Sequence, residues 1–132
     1  MIVVDTNILV HFKVTTPLSS AAQAVFDTDP AWYAPYLWRS EFRNALAVRM
    51  RHEQLPLADA LLWIREAEDH MYGRERFVDP ERVMQLVASS TCTAYDCEFV
   101  ALADELRVPL VTTDKQILRD FPRIARALAD YC

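Results

Sequence analysis

Apolar residues recur along the chain in two spacings. Ile2-Val3-Val4, Trp32-Tyr33-Ala34 (ended by Pro35) and Pro109 to Thr112 are short continuous runs, the pattern of strands buried on both faces. Phe77-Val78 is a candidate for a further short strand. Between these runs the apolar positions follow helical spacing. Helices are predicted from Asn7-Ile8-Leu9-Val10, from an N-cap at Ser19 or Ser20 through Phe26, and from about Leu37 to Glu53. Others run from Pro56 in a first turn to about His70, from Pro80 to about Ala88, from Ala94 to Leu106 with Thr93 as cap, and from Lys115 to Phe121, where Pro122 ends it. The tail from Ile124 fits a helix by composition or a last strand by position. Strands alternating with helices predict an α/β fold with a mainly parallel central sheet flanked by helices. The 132 residues contain no linker, repeat or low-complexity tract and predict one domain over residues 1–132.

Four acids break this pattern. Asp5 closes the first apolar run, Glu41 interrupts the apolar line Leu37, Glu41, Ala45, Val48 on the longest helix, Asp96 opens another helix, and Asp114 follows Pro109 to Thr113. In open parallel sheets ligands collect beyond the carboxyl ends of strands, which places Asp5 and Asp114 near each other. Each could also serve only as a helix N-cap, and Asp96 could complete a capping box with Thr93. Glu41 must lie at the edge of its apolar line, pair with a distant Arg or bind metal, since an unpaired buried charge is very costly. A point holding all four acids needs a cation such as Mg²⁺, which favours carboxylate and water oxygens. Thr6, Asn7, Thr112 and Thr113 surround the outer two acids with neutral groups able to hold carboxylate rotamers or metal-bound waters.

Composition narrows the alternatives. A single glycine, Gly73, rules out glycine-rich phosphate loops of the Walker and Rossmann kinds. His11, His52 and His70 have no metal-ligand spacing, and Ser89-Ser90 lacks a nucleophile motif. Cys92, Cys97 and Cys132 are odd in number and lack a C-x-x-C pair, which fits a reducing compartment and buried thiols. Asp5 precedes any signal-peptide core, and no apolar run approaches the roughly 20 residues that cross a membrane. A cytoplasmic protein is expected. The net charge of −5 argues against binding nucleic acid by bulk electrostatics but leaves room for a local patch or a bound metal.

The residues Val3-Val4-Asp5-Thr6-Asn7, Ser40-Glu41-Phe42, Thr93-Ala94-Tyr95-Asp96-Cys97-Glu98-Phe99-Val100-Ala101-Leu102-Ala103 and Leu110-Val111-Thr112-Thr113-Asp114 together resemble the PIN-domain ribonucleases. The chain is most similar to the VapC toxins of bacterial toxin–antitoxin modules. The resemblance covers essentially the whole chain and implies a PIN-like three-layer fold. It also implies an endoribonuclease in which Asp5, Glu41, Asp96 and Asp114 bind Mg²⁺ or Mn²⁺, a homodimer, and a cognate antitoxin that covers the active site. Lys115, Gln116 and Ile117 follow Asp114 where many relatives carry a further acid.

RNA must then reach an acidic site on an acidic protein. Lys13 and Lys115, the only lysines, with Arg39 and Arg43 are the expected phosphate-contacting rim. The line Trp38, Phe42, Leu46, Met50, with Leu62 and Trp63 on the next helix, is the expected antitoxin or dimer surface, because helices apolar on more than one face bury more than one interface. Two other classes fit less well. A receiver-type signalling domain needs an acidic pair after the first strand, and a haloacid-dehalogenase-like phosphatase needs a second Asp where Asn7 stands. A non-catalytic RNA-binding PIN module is the remaining alternative.

Overall fold

Ile2, Val3 and Val4 are all buried, as a strand covered on both faces requires, and they form β1 (Ile2–Val4) at the centre of the sheet. The structure, a computed structural model, describes residues 1–131; Cys132 lies outside the described residues. Elements follow as α1 (Thr6–Lys13), α2 (Ser19–Thr28), β2 (Trp32–Pro35), α3 (Trp38–His52), α4 (Leu57–Met71), β3 (Glu75–Arg76), α5 (Pro80–Ala88), α6 (Ala94–Leu106), β4 (Leu110–Thr112), α7 (Lys115–Asp120), β5 (Ala125–Ala127) and α8 (Leu128–Tyr131). The strands form one sheet in the order β3-β2-β1-β4-β5, every pairing parallel.

Strand order reverses at β1. The chain leaves β1 towards β2 and β3, and β4 joins the other side of β1 before leading away to β5. Right-handed crossovers in opposite directions put the connecting helices on opposite faces. In agreement, α1 packs with α2, α3 and α4, whereas α5 and α6 pack on each other and α6 on β1 and β2. The crevice between the carboxyl ends of β1 and β4 is therefore a topological switch point, where such folds bind ligands.

Several local expectations change. The short strand is Glu75–Arg76, and Phe77-Val78 lies just beyond it. Pro35 is the last residue of β2, in register with Arg76, rather than the residue that stops it. Leu18, not a serine, stands at the N-cap of α2; the Ser19 hydroxyl instead accepts from the Thr16 amide and donates to the Val14 carbonyl. Pro56 occupies the N-cap of α4 rather than its first turn. The tail is both a strand and a helix, β5 followed at once by α8. Cys92 and Cys97 are buried free thiols, with burial pushing both up and Cys92 to about 12. No helix is long and apolar enough to cross a membrane among the described residues.

Candidate active site

Asp5 leaves β1 as the N-cap of α1, with its Oδ1 accepting from the Thr6 amide at 2.8 Å. Its Oδ2 accepts from the Thr112 hydroxyl at 2.7 Å and the Asn7 amide group at 3.2 Å. Across the switch point Asp114 leaves β4 as the N-cap of α7, and its Oδ1 accepts from the amides of Gln116 and Ile117. Capping and a place in the site thus coexist: each carboxylate is oriented by a helix start and keeps acceptor capacity to spare. Thr112 links the two strand ends, since its hydroxyl also accepts from the Asp114 amide at 3.0 Å. The Thr113 amide reaches the Asn7 side-chain oxygen at 3.4 Å.

The helices bring the other two acids. Glu41 lies in the first turn of α3, half-buried, and accepts from the Thr6 hydroxyl at 2.7 Å. Asp96 lies in the first turn of α6, where the Thr93 hydroxyl accepts from its amide. Each therefore also sits where a helix dipole favours negative charge.

Their electrostatics tie the four together. Burial pushes Asp5 up to about 7; the Thr112 and Thr6 hydrogen bonds oppose this, and the charges of Glu41 and Asp96 add to it. Glu41 is raised by burial and by the charges of Asp96 and Glu98, against the Thr6 hydrogen bond. Asp96 is raised by burial and by the charge of Asp114, against hydrogen bonds from Thr93. Among the described residues no Lys, Arg or His forms an ion pair with any of the four. The distant arginine considered for Glu41 is absent; Arg39 pairs with Glu75 and Glu68.

Not every expected residue joins this group. Lys13 turns to α4, its ammonium 4.8 Å from the Phe12 ring centre and facing the charges of Glu66 and Asp69. Arg39 is committed to the buried Glu75 through two hydrogen bonds of 2.6 and 2.7 Å. Arg43 is exposed and donates to the Ser40 hydroxyl, and Lys115 is exposed at the start of α7, next to Asp114. Trp38, Phe42 and Leu46, expected at a partner surface, are each 1% exposed and belong to the core. Two apolar lines on α3 compete for the interior, and the one with the bulkier aromatic side chains fills it. Met50 and Trp63 are partly buried against that core, while Leu62 is exposed, with Leu57 and Leu61 beside it.

Two acids escaped the sequence reading. Glu75 is buried and held by Arg39 and by Trp38 Nε1 at 2.8 Å. Glu98 is half-buried and raised by that burial. Its only signal was its place three residues after Tyr95 on one face of α6.

The chain belongs to the PIN domain family, whose model matches residues 2–126. Its structure is similar to that of FitAcB from Neisseria gonorrhoeae, with a TM-score of 0.77 and 17% identity over 98% of this chain and 99% of that one. It is also similar to FitAB bound to an IR36 DNA fragment, with a TM-score of 0.72 and 15% identity over 97% and 95%. VapBC2 from Rickettsia felis, bound to a DNA fragment from its promoter, gives a TM-score of 0.60 and 14% identity over 96% and 98%. At these identities the likeness is one of fold. No curated protein matches the chain significantly.

Proposed function

We propose that the chain is a metal-dependent endoribonuclease and the toxin of a toxin–antitoxin pair. One observation supports the nuclease reading: Asp5, Glu41, Asp96 and Asp114 lie around the switch point of a PIN fold, where the charges of Glu41 and Asp96 add to the raised pKa of Asp5 and that of Asp114 to the raised pKa of Asp96, and none of the four has an ion-paired cation among the described residues. Repulsion that raises carboxylate pKa values is relieved by a bound divalent ion.

The donor set suits Mg²⁺ or Mn²⁺, because every donor is a hard anionic oxygen. Among the described residues no three His, Cys, Asp or Glu side chains stand close enough to enclose an ion by themselves. Mg²⁺ keeps several waters and takes one or two carboxylates directly, so the remaining acids can act through water. Asp5, Asp96 and Asp114 are the carboxylates proposed to surround the ion, one or two in direct contact and the rest through its waters, and Glu41 binds directly or orients a water. When bound, such an ion lowers the pKa of water and offsets charge developing on a phosphodiester.

The chain's own groups prepare the site. Thr112, Asn7 and the Thr6 amide fix the Asp5 rotamer, and the first amides of α7 fix Asp114. Thr6 holds Glu41 by Oε1. Glu41 Oε2 has no hydrogen-bond partner among the described residues, which leaves it available to the ion or to a water that the ion holds.

The toxin reading draws on the fold likeness to the FitAB and VapBC2 structures, both bound to DNA. In this reading the chain is one half of such a pair with a cognate antitoxin, and it forms a homodimer, as the resemblance to the VapC toxins implies. Leu57, Leu61 and Leu62 are the exposed apolar residues of α4 open to either partner. The test is RNA cleavage with Mg²⁺, with EDTA, and by Asp96→Asn. Cleavage should occur only in the first case. Cleavage indifferent to EDTA or to the substitution overturns the mechanism; RNA binding without cleavage by the wild type leaves a non-catalytic RNA-binding PIN module.

A further inference from the structure

Phe77 is 85% exposed, more than any other large apolar side chain described, and its ring lies 4.6 Å from that of Tyr36, itself 41% exposed. With centres this close and planes tilted by 36°, the rings overlap partly face to face, and the outer face of the more exposed Phe77 stays open. Their position follows from the sheet. Tyr36 is the first residue after β2 and Phe77 the first after β3, and the Tyr36 amide donates to the Arg76 carbonyl between them. Asp5 is likewise the first residue after β1, and Asp114 follows β4 by two residues. Along one rim of the sheet the order is therefore Phe77, Tyr36, Asp5, Asp114. Neighbouring strands lie about 4.8 Å apart, so the backbones of Tyr36 and Phe77 stand roughly 5 and 10 Å across the sheet from that of Asp5 and one residue further along the register.

We propose that Tyr36 and Phe77 form a stacking platform for an unpaired RNA base beside the acidic site. An exposed aromatic face at the end of a strand suits a base, whose two flat sides are apolar and whose edges remain wet. The groove beside them, about 360 Å³, is lined by Arg76 and Glu98 among mostly apolar side chains. The Arg76 guanidinium also lies over the Tyr33 ring at 5.0 Å and supplies positive charge to a passing strand. Glu98 repels phosphate, so the groove itself accepts a base and leaves the backbone outside. A duplex, with its bases stacked on each other, cannot use such a surface. The site would thus select single-stranded segments, loops or bulges.

The platform rests on the ribonuclease reading only for the kind of strand it takes. The test measures binding of fluorescein-labelled single-stranded oligo(A) to the full chain in EDTA, alongside an abasic strand of the same backbone. Phe77→Ala should weaken oligo(A) binding about tenfold, the loss of one stacked base, and Phe77→Trp should retain it. Neither variant should change the salt slope or the affinity for the abasic strand. So exposed a side chain can be removed without unfolding the protein. Unchanged oligo(A) binding by Phe77→Ala, an equal loss on the abasic strand, or no oligo(A) binding by the wild type would overturn the platform. A wild-type dimer that becomes a monomer in Phe77→Ala would also overturn it, marking the pair as a contact between copies. Cleavage in Mg²⁺ is scored separately. Stacking without cleavage removes the nuclease and keeps the platform, whereas cleavage with unaltered Phe77→Ala binding does the reverse.

Discussion

The Thr6 hydroxyl donates to Glu41 Oε1 at 2.7 Å, joining the first turn of α1 to the first turn of α3. The amide of the same residue donates to Asp5. One residue thereby holds two carboxylates that repel each other, Asp5 through its backbone and Glu41 through its side chain.

Replacing Thr6 with Val keeps the shape and removes only the hydroxyl. Glu41 is half-buried and can turn to water, so the melting temperature should change little. Metal-dependent RNA cleavage should fall 10–100-fold, the usual effect of losing a group that orients a metal ligand. Thr6→Ser should recover most of the rate. A drop in Tm as large as the drop in rate would make Thr6 a packing residue.

Asp5 dictates a pH effect in metal-free buffer. Its folded pKa of about 7 lies above its ordinary 3.8, chiefly because burial disfavours the charge. A raised carboxylate pKa means that the fold prefers the protonated form. The stability tied to it is fully present below 3.8 and is lost as pH rises through about 7. Wild-type protein in EDTA should therefore melt lower at pH 8 than at pH 5. Asp5→Asn should be flatter with pH and melt higher than wild type at pH 8. Added Mg²⁺ should raise the wild-type Tm at pH 8 and barely move the variant. If Asp5→Asn is instead the less stable protein at pH 8, the carboxylate serves the fold and not a cation.

The acids that end strands were readable because strand ends can be found from apolar runs alone: Val4 before Asp5 and Thr112 before Asp114 mark them. Glu75 and Glu98 were not, since what surrounds them comes from remote segments. Trp38 and Arg39 reach Glu75 from 37 and 36 residues away. The two-residue β3, Glu-Arg in sequence, carries no apolar signature, and the apolar pattern points one step later, to Phe77-Val78. On α3 both apolar lines had helical spacing, and spacing cannot say which faces the sheet. In the tail, three residues of strand running into a four-residue helix are too short for either period to show.

The inward orientation of α3 has a direct consequence. Trp38 and Phe42 meet edge to face, with ring centres 5.8 Å apart, and both are buried. Phe42→Ala should cost about 3–5 kcal/mol, through lost apolar burial and the cavity left behind. Leu62→Ala, at a side chain 51% exposed, should stay within about 0.5 kcal/mol. Urea unfolding of each variant decides. A Phe42→Ala protein as stable as wild type would restore this line as a partner surface.

Arg39 separates structural from RNA-contacting charge. Its guanidinium holds the buried Glu75 carboxylate in a two-pronged contact, Nε to Oε2 and Nη2 to Oε1, with Glu68 3.5 Å away. That contact, with the Trp38 hydrogen bond, holds Glu75 below the usual carboxylate range against the effect of its burial. Arg39→Ala leaves Glu75 buried with Trp38 as its remaining partner. Breaking a fully buried pair costs about 3–5 kcal/mol, and Arg39 itself is partly exposed, so about 2 kcal/mol is expected at pH 7. Because the folded pKa of Glu75 is lowered, its contribution is present above its ordinary 4.5 and is lost as pH falls through the folded value. The stability gap between wild type and Arg39→Ala should therefore close in acid. Arg39→Lys should recover only part of it, since an ammonium cannot reproduce the paired contact. RNA affinity and its salt slope, measured on the folded fraction, should not change. A stable Arg39→Ala protein with a shallower salt slope would return Arg39 to the phosphate-contacting rim.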